Sequence, residues 1–212
     1  MKIEKVHAVY FSPTGTTKTV ITHLVKCITT LLPEVVTEVK DFTLPSRRKK
    51  VPDIRESELA IVGLPVYAGR LPNLLLNYLT TWQSNGAWAV PVVVYGNRSY
   101  GNALVELYDI LRYRGFHPIA AAAFVGQHSF TTRLATGRPD REDLEKAEQF
   151  SAEIVRRILQ PGEFTGIKIP GQGAPDYGGY YKPKGRDEEV VNFLKAKPVT
   201  TDACIVSSYD EP

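Results

Sequence analysis

The 212 residues are 43% hydrophobic and 23% charged with a net charge of +3, the balance of a globular chain that builds one sizeable core without disulfides or metal. No apolar run approaches the ~20 residues of a membrane span, the N-terminus lacks a signal peptide's apolar stretch and cleavage site, and the charge is too mild to demand a polyanion. A cytoplasmic chain with no membrane or nucleic-acid partner is therefore expected; Cys27 and Cys204 are too few and too far apart for a disulfide framework or a multi-cysteine metal site, so both read as free thiols and no metal centre is expected.

The elements alternate along the chain. A β-branched and aromatic run at residues 6–11 reads as a buried strand, followed by Ser12-Pro-Thr-Gly-Thr-Thr17 and then by helical apolar spacing over 17–32. Backbone N–H groups at such a turn converge on the positive end of a helix dipole, and Gly15 lets the chain wrap a tetrahedral anion. Ser12, Thr14, Thr16 and Thr17 put four hydroxyls into six positions, more than a helix cap requires. A phosphate suits that turn. A second strand is expected over 35–41. Residues 42–57 hold Pro45, Pro52 and the basic run Arg47-Arg-Lys-Lys50, and predict a loop or a single turn with the basic residues solvated.

A third strand at 59–64 leads into PVYAGRLP (65–72) and a helix over 71–82; a fourth at 89–95 leads into GNRSYGN (96–102) and a helix over 103–114. Both loops combine glycine, for close backbone approach, with an aromatic for stacking on a planar ligand. A fifth strand at 118–124 precedes Gln127-His-Ser-Phe130, and Arg138-Pro-Asp140 opens a helix over 140–159 with Asp140 as N-cap and Asp143 in the first turn. Continuous apolar strands alternating with helices predict a doubly wound α/β domain over residues 1–160, a five-stranded parallel sheet with helices on both faces. From Pro161 the chain is rich in Gly, Pro and Tyr, an extension over 161–212 with a short helix expected at 187–196.

Ligands of open α/β sheets sit beyond the carboxyl ends of the strands. A phosphate turn beside two Gly/aromatic loops there predicts a flat, polar, phosphorylated molecule. Other chemistries fail on inspection: the second glycine of a P-loop is missing, no GxGxxG follows a strand, no GxSxG elbow occurs, and neither cysteine has an arginine at the sixth position after it.

Ser12-Pro-Thr-Gly-Thr-Thr17 resembles the phosphate loop of the flavodoxin superfamily. LPVYAGRLP, VVVYGNRSYGNALVEL, GFHPIAAAAFVGQHSF and TGRPDREDLEKA are similar, in order, to signatures of the flavodoxin-like half of the flavodoxin–ferredoxin fusion family, over about residues 3–160. The resemblance implies a flavodoxin-like fold and bound flavin mononucleotide (FMN). Ser12, Thr14, Gly15, Thr16 and Thr17 would hold the phosphate. Pro65, Val66, Tyr67, Ala68 and Gly69, with Gly96, Asn97, Arg98, Tyr100, Gly101 and Asn102, would flank the ring, Tyr67 or Tyr100 against a face and backbone groups at its edge. His128 reads equally as a donor to flavin or substrate and as a structural loop residue; Arg98 and Arg70 either balance flavin charge or are solvated. Trp82, Trp88 and Cys27 read as packing residues. Fusion relatives continue into two cysteine-rich cluster motifs, whereas here only Cys204 of the first stands, with Ser207 and Asp210 at later cysteine positions. Residues 161–212 then read as a linker toward an absent or degenerate ferredoxin domain, in a lineage without that half or in an N-terminal piece.

No catalytic acid–base pair is evident, so the resemblance points first to an FMN electron carrier working with redox partner proteins such as a ferredoxin-type donor. An FMN-dependent NAD(P)H reductase of quinones or similar acceptors is the second reading. A flavin-free phosphate-binding or interaction module on the same scaffold is the third.

Overall fold

The computed structural model describes residues 3–131, 133–160, 167–171, 177–180, 182, 184, 185 and 187–190. In chain order the elements are β1 (Lys5–Tyr10), α1 (Thr16–Leu31), β2 (Val36–Asp41), a 3-10 turn (Pro45–Lys49), β3 (Glu58–Pro65), α2 (Asn73–Leu79), β4 (Trp88–Tyr95), α3 (Ala103–Tyr113), β5 (His117–Pro118), β6 (Ala122–Val125) and α4 (Arg141–Leu159). All strand pairs are parallel, in the order β2-β1-β3-β4, with β5 and then β6 lying in turn along the outer side of β4. The chain reverses its direction of winding between β1 and β3, which opens a crevice above their carboxyl ends.

Each face of the sheet has its own core. Val20, Ile21, Leu24 and Ile28 recur at helical spacing on α1 and pack with Ile154 and Ile158 of α4 on Val6, Ala8, Leu59, Ile61 and Val92. On the other face α2 and α3 bring Leu75, Leu79, Leu107 and Leu111 onto Val9, Ala60, Val62 and Val93. Burial of each such side chain stabilises by about 1.5–3 kcal/mol. No helix among the described residues is long and apolar enough to cross a membrane.

The sheet and its helices stand where the apolar runs predict, except that α2 spans only Asn73–Leu79 of the expected 71–82 and the fifth strand differs. The fifth strand is not continuous over 118–124 but broken into β5 and β6. Ala89 faces Pro118 while Val92 faces Ala122, so three steps along β4 match four along the edge: one extra residue is inserted. The cause lies on β4. Ile119 N donates to Ala89 O at 3.0 Å, and the next donor back to Ile119 would be residue 91, a proline with no N–H. The orphaned Ile119 carbonyl accepts instead from Arg157 Nη1 of α4 at 2.8 Å.

By its contacts the chain divides into two units, residues 1–178 and 179–212. Within the first, Ile169 is buried beside α3, with Ile167 and Tyr177 packed on the same core. In the second, Lys184 and Val190 form an antiparallel bridge around a turn closed by Gly185 N to Glu189 O at 2.8 Å. Glu188 there has φ +59°, so residues 187–190 form a turn and not the start of a helix; residues 191–196 of that expected helix, and Cys204, lie outside the described residues.

Candidate functional site

The turn after β1 is held from below by a loop that its own sequence does not announce. Ser12 N donates to Thr43 Oγ1 at 2.9 Å, and Thr43 N in turn donates to Asp41 Oδ1 at 2.9 Å, an Asx turn at the end of β2. Arg48, from the basic run, donates to the carbonyls of Phe42 and Thr43 at 3.0 and 2.7 Å and lies over the Phe11 ring, 5.4 Å from its centroid. That arginine is a strut, not a solvated charge.

Gly15 sits at φ +81°, where a Cβ is strained, and its N–H donates to Ser12 O at 3.3 Å. Ser12 Oγ accepts from Lys18 N at 2.9 Å and so caps one of the first N–H groups of α1. The N–H groups of Thr16 and Thr17 have no acceptor among the described residues. Beside Gly15 the space is open: a Cβ there would meet no atom within 4 Å. Thr14 is exposed and Thr16 half-buried on this notch, whereas Thr17 is buried beneath it, leaving its backbone N–H as the group it offers. An open notch lined by unpartnered helix N–H groups and hydroxyls is what a phosphate monoester needs.

The loop after β3 is a tight two-residue hairpin. Tyr67 N donates to Arg70 O at 2.9 Å and Arg70 N to Tyr67 O at 3.1 Å, with Ala68 at φ +51° and Gly69 at φ +81°, the primed geometry that suits such a turn. It lifts Tyr67 to 41% exposure at the mouth of the crevice, and partial burial raises its hydroxyl pKa above the ordinary value. Pro65 and Val66 form its base, Val66 N donating to Val94 O at 2.9 Å.

The loop after β4 is bound to that hairpin through backbone. Asn102 N donates to Gly69 O at 2.8 Å, and a Cβ on Gly101 would fall 2.6 Å from the same oxygen. Tyr100 is half-buried, edge-on to Tyr95 with centroids 5.5 Å apart. Asn97 is exposed at φ +58° and Arg98 is exposed beside it. The side chain of Asn102 turns away from the crevice and donates to Tyr177 O at 2.9 Å.

The loop after β6 completes the rim: its Gly126 is so close to Thr16 that a Cβ would lie 2.5 Å from the threonine methyl, and Gly96 is as tight against the His128 ring. His128 Nδ1 accepts from Phe130 N at 3.1 Å, which in the neutral ring leaves Nε2 as the donor nitrogen.

Four loops thus converge, and the expected site residues lie together on them, with the side chains of Thr17 and Asn102 turned elsewhere. Arg70 is not a ligand-facing charge. Its guanidinium grips Glu106 of α3 in a bidentate pair, Nε–Oε2 2.9 Å and Nη2–Oε1 2.7 Å, donates to Gly178 O, and lies over the Tyr177 ring at 5.3 Å. Glu106 and Arg70 side chains are 3% and 11% exposed.

Asp140 and Asp143 form the expected cap of α4 as a reciprocal capping box, Asp143 N to Asp140 Oδ1 at 3.1 Å and Asp140 N to Asp143 Oδ2 at 3.0 Å. Arg138 also closes on Asp143 through Nε and Nη2, and the pairing holds the Asp143 carboxyl below the usual carboxylate range. Above the unfolded value of ~3.9 the folded form therefore gains stability, and it loses it as pH falls through the lower folded value. Asp143→Asn is expected to cost about 2 kcal/mol at pH 7, less than a fully buried pair because Arg138 meets solvent. Urea unfolding at stepped pH should show the two proteins converging below about pH 4.

Neither a family model nor a curated protein matches the sequence. Solved structures do. The flavodoxin of Streptococcus pneumoniae TIGR4 is 18% identical over 72% of this chain and 99% of its own, with a TM-score of 0.51. Oxidised Flavodoxin 2 of Bacillus cereus is 15% identical over 73% and 99%, TM-score 0.52. The Flv1 flavodiiron core of Synechocystis is 16% identical over 76% of this chain and 37% of its own, TM-score 0.52. The parallel sheet in the order β2-β1-β3-β4-β5, helices on both faces and loops converging at its carboxyl edge are accordingly the flavodoxin-like fold.

Proposed function

We propose that the chain binds FMN in the crevice at the carboxyl edge of the sheet and serves as a cytoplasmic electron carrier between redox proteins, a ferredoxin-type donor among them. The carrying observation is the open space beside Gly15 together with the N–H groups of Thr16 and Thr17, which have no acceptor among the described residues at the start of a 16-residue helix. In this reading those N–H groups, with the hydroxyls of Ser12, Thr14 and Thr16, hold the phosphate oxygens. Ser12 Oγ accepts from Lys18 while its own proton stays available. Tyr67 covers one face of the ring, the backbone of 68–69 and 97–101 borders its edge, and His128 Nε2 supplies a further donor. The cofactor, once bound, supplies one- and two-electron redox chemistry, which the surrounding polypeptide tunes.

No carboxylate or histidine pair placed for proton transfer to a substrate stands in the rim among the described residues, which favours the carrier over a substrate-specific reductase. The purified protein is expected to show a flavin spectrum, release FMN in a 1:1 ratio and bleach with dithionite but not with NAD(P)H alone. A colourless protein that takes up no FMN on reconstitution overturns the reading; rapid bleaching by NAD(P)H replaces the carrier with the reductase.

A further inference from the structure

Away from the crevice, α1 and α4 lie side by side, close enough that Ser151 Oγ of α4 donates to Leu24 O of α1 at 3.4 Å. On their outer seam three side chains of different chemistry meet. His23 and Cys27 are one turn apart on α1, and Glu148 reaches over from α4. His23 Nε2 lies 3.5 Å from Cys27 Sγ and 3.5 Å from Glu148 Oε1, and all three donor atoms fall within 4.8 Å of one another.

Three atoms that each bear a lone pair converge there. Protein hydrogens satisfy them poorly: if Nε2 carries the ring proton and gives it to Glu148, the nitrogen cannot also accept from the thiol, and if it accepts from the thiol it has no proton to give the carboxylate. A cation at the centre satisfies all three. Zinc-type bonds of ~2.0–2.1 Å to nitrogen and oxygen and ~2.3 Å to sulfur, at tetrahedral angles, separate the ligand atoms by roughly 3.3–3.6 Å. Both separations from His23 match that figure.

We propose that His23, Cys27 and Glu148 form a binding site for one zinc-class divalent cation, with three protein ligands and a water in the fourth position. A thiolate and an imidazole select zinc, cobalt or nickel over magnesium and calcium. Thiolate and carboxylate together neutralise the ion, and the thiol proton passes to solvent as the metal–sulfur bond forms. The Glu148 side chain is 57% exposed, which leaves the ion an open approach. The ion would join α1, whose N-terminus forms the notch, to α4. The site shares no residue with the flavin crevice and stands or falls apart from it.

The test is a cobalt(II) titration of the metal-stripped full chain, followed by difference absorption. One equivalent is expected to bind with a near-ultraviolet thiolate-to-cobalt band and tetrahedral-intensity visible bands, and zinc(II) should displace it. Cys27→Ser should abolish the band, and His23→Ala and Glu148→Gln should each weaken binding by about tenfold or more, while Cys204→Ser leaves both unchanged. Zinc should also raise the thermal midpoint of the parent protein, and at the same zinc concentration raise that of Glu148→Gln, a surface change that leaves the core intact, by less. No saturable binding, or a cobalt band that survives Cys27→Ser, overturns the proposal.

Discussion

Glu106→Ala is expected to destabilise the protein by about 3–5 kcal/mol, because it breaks a buried ion pair and strands what remains. Glu106 stands in the first turn of α3, where a carboxylate also complements the helix dipole. Its two oxygens accept from Arg70 Nε and Nη2, and Oε2 also accepts from Leu71 N at 3.0 Å. Alanine removes the counter-charge of a largely buried guanidinium and the acceptor of a buried backbone N–H together. Arg70 retains Gly178 O and the face of Tyr177, so the loss should fall toward the lower end of that range. Glu106→Gln, which keeps an acceptor for Leu71, should lose less. Urea unfolding of the three proteins measures this, with Glu145→Ala as the control: its exposed pair with Arg141 should be worth under ~1 kcal/mol. Since the pair pins the base of the 67–70 hairpin to α3, FMN affinity should fall with it. Equal stability of Glu106→Ala and the parent would contradict this account.

Gly101→Ala is expected to cost about 2–4 kcal/mol and to weaken FMN binding, through contact with backbone that has nowhere to go. Its Cβ would lie 2.6 Å from Gly69 O and 2.7 Å from Gly69 Cα, and residue 101 sits at φ +50°. No rotamer relieves that overlap. Either the hairpin or the 96–102 loop must move, and both border the proposed ring site. Gly137→Ala separates the two contributions: Gly137 has φ +73° but nothing within 4 Å of its Cβ, so it should show only the backbone term, about 1 kcal/mol. Denaturant midpoints and FMN titrations of both variants provide the comparison. Similar losses for the two would mean that the close approach carries no weight.

Local chemistry made much of this legible in the sequence. The apolar runs place β1, β3 and β4 within a residue or so because buried parallel strands are continuous in apolar residues; β2 also stands where expected, but as an edge strand with none of its residues buried. Residues 42–57 hold no α-helix, only the 3-10 turn that Pro45 begins, in keeping with the loop or single turn expected there. α2 is shorter than the helix expected over 71–82: Pro72 sets its start and the chain leaves it after Leu79, yet Leu71 and Trp82 remain in the core. What local sequence does not reveal depends on partners distant along the chain. Thr43 supports Ser12 from 31 residues away and Glu106 holds Arg70 from 36. His7 is buried in β1 with Nε2 2.8 Å from Glu58 Oε2; its apolar neighbours in sequence do not show that β3 supplies its partner. The break in the fifth strand is invisible in residues 118–124, since it originates at Pro91 on the neighbouring strand.

That break has a bearing on how the protein behaves in a crowd. The sheet ends at β2 on one side and at β5 and β6 on the other, and an edge strand with a free ladder is a template for pairing with another copy. Here the second edge comes in segments of two and four residues set out of step by one. A neighbouring molecule finds no run of evenly spaced donors and acceptors to extend. The proline that interrupts β4's ladder thus guards this edge of the sheet against pairing with another copy.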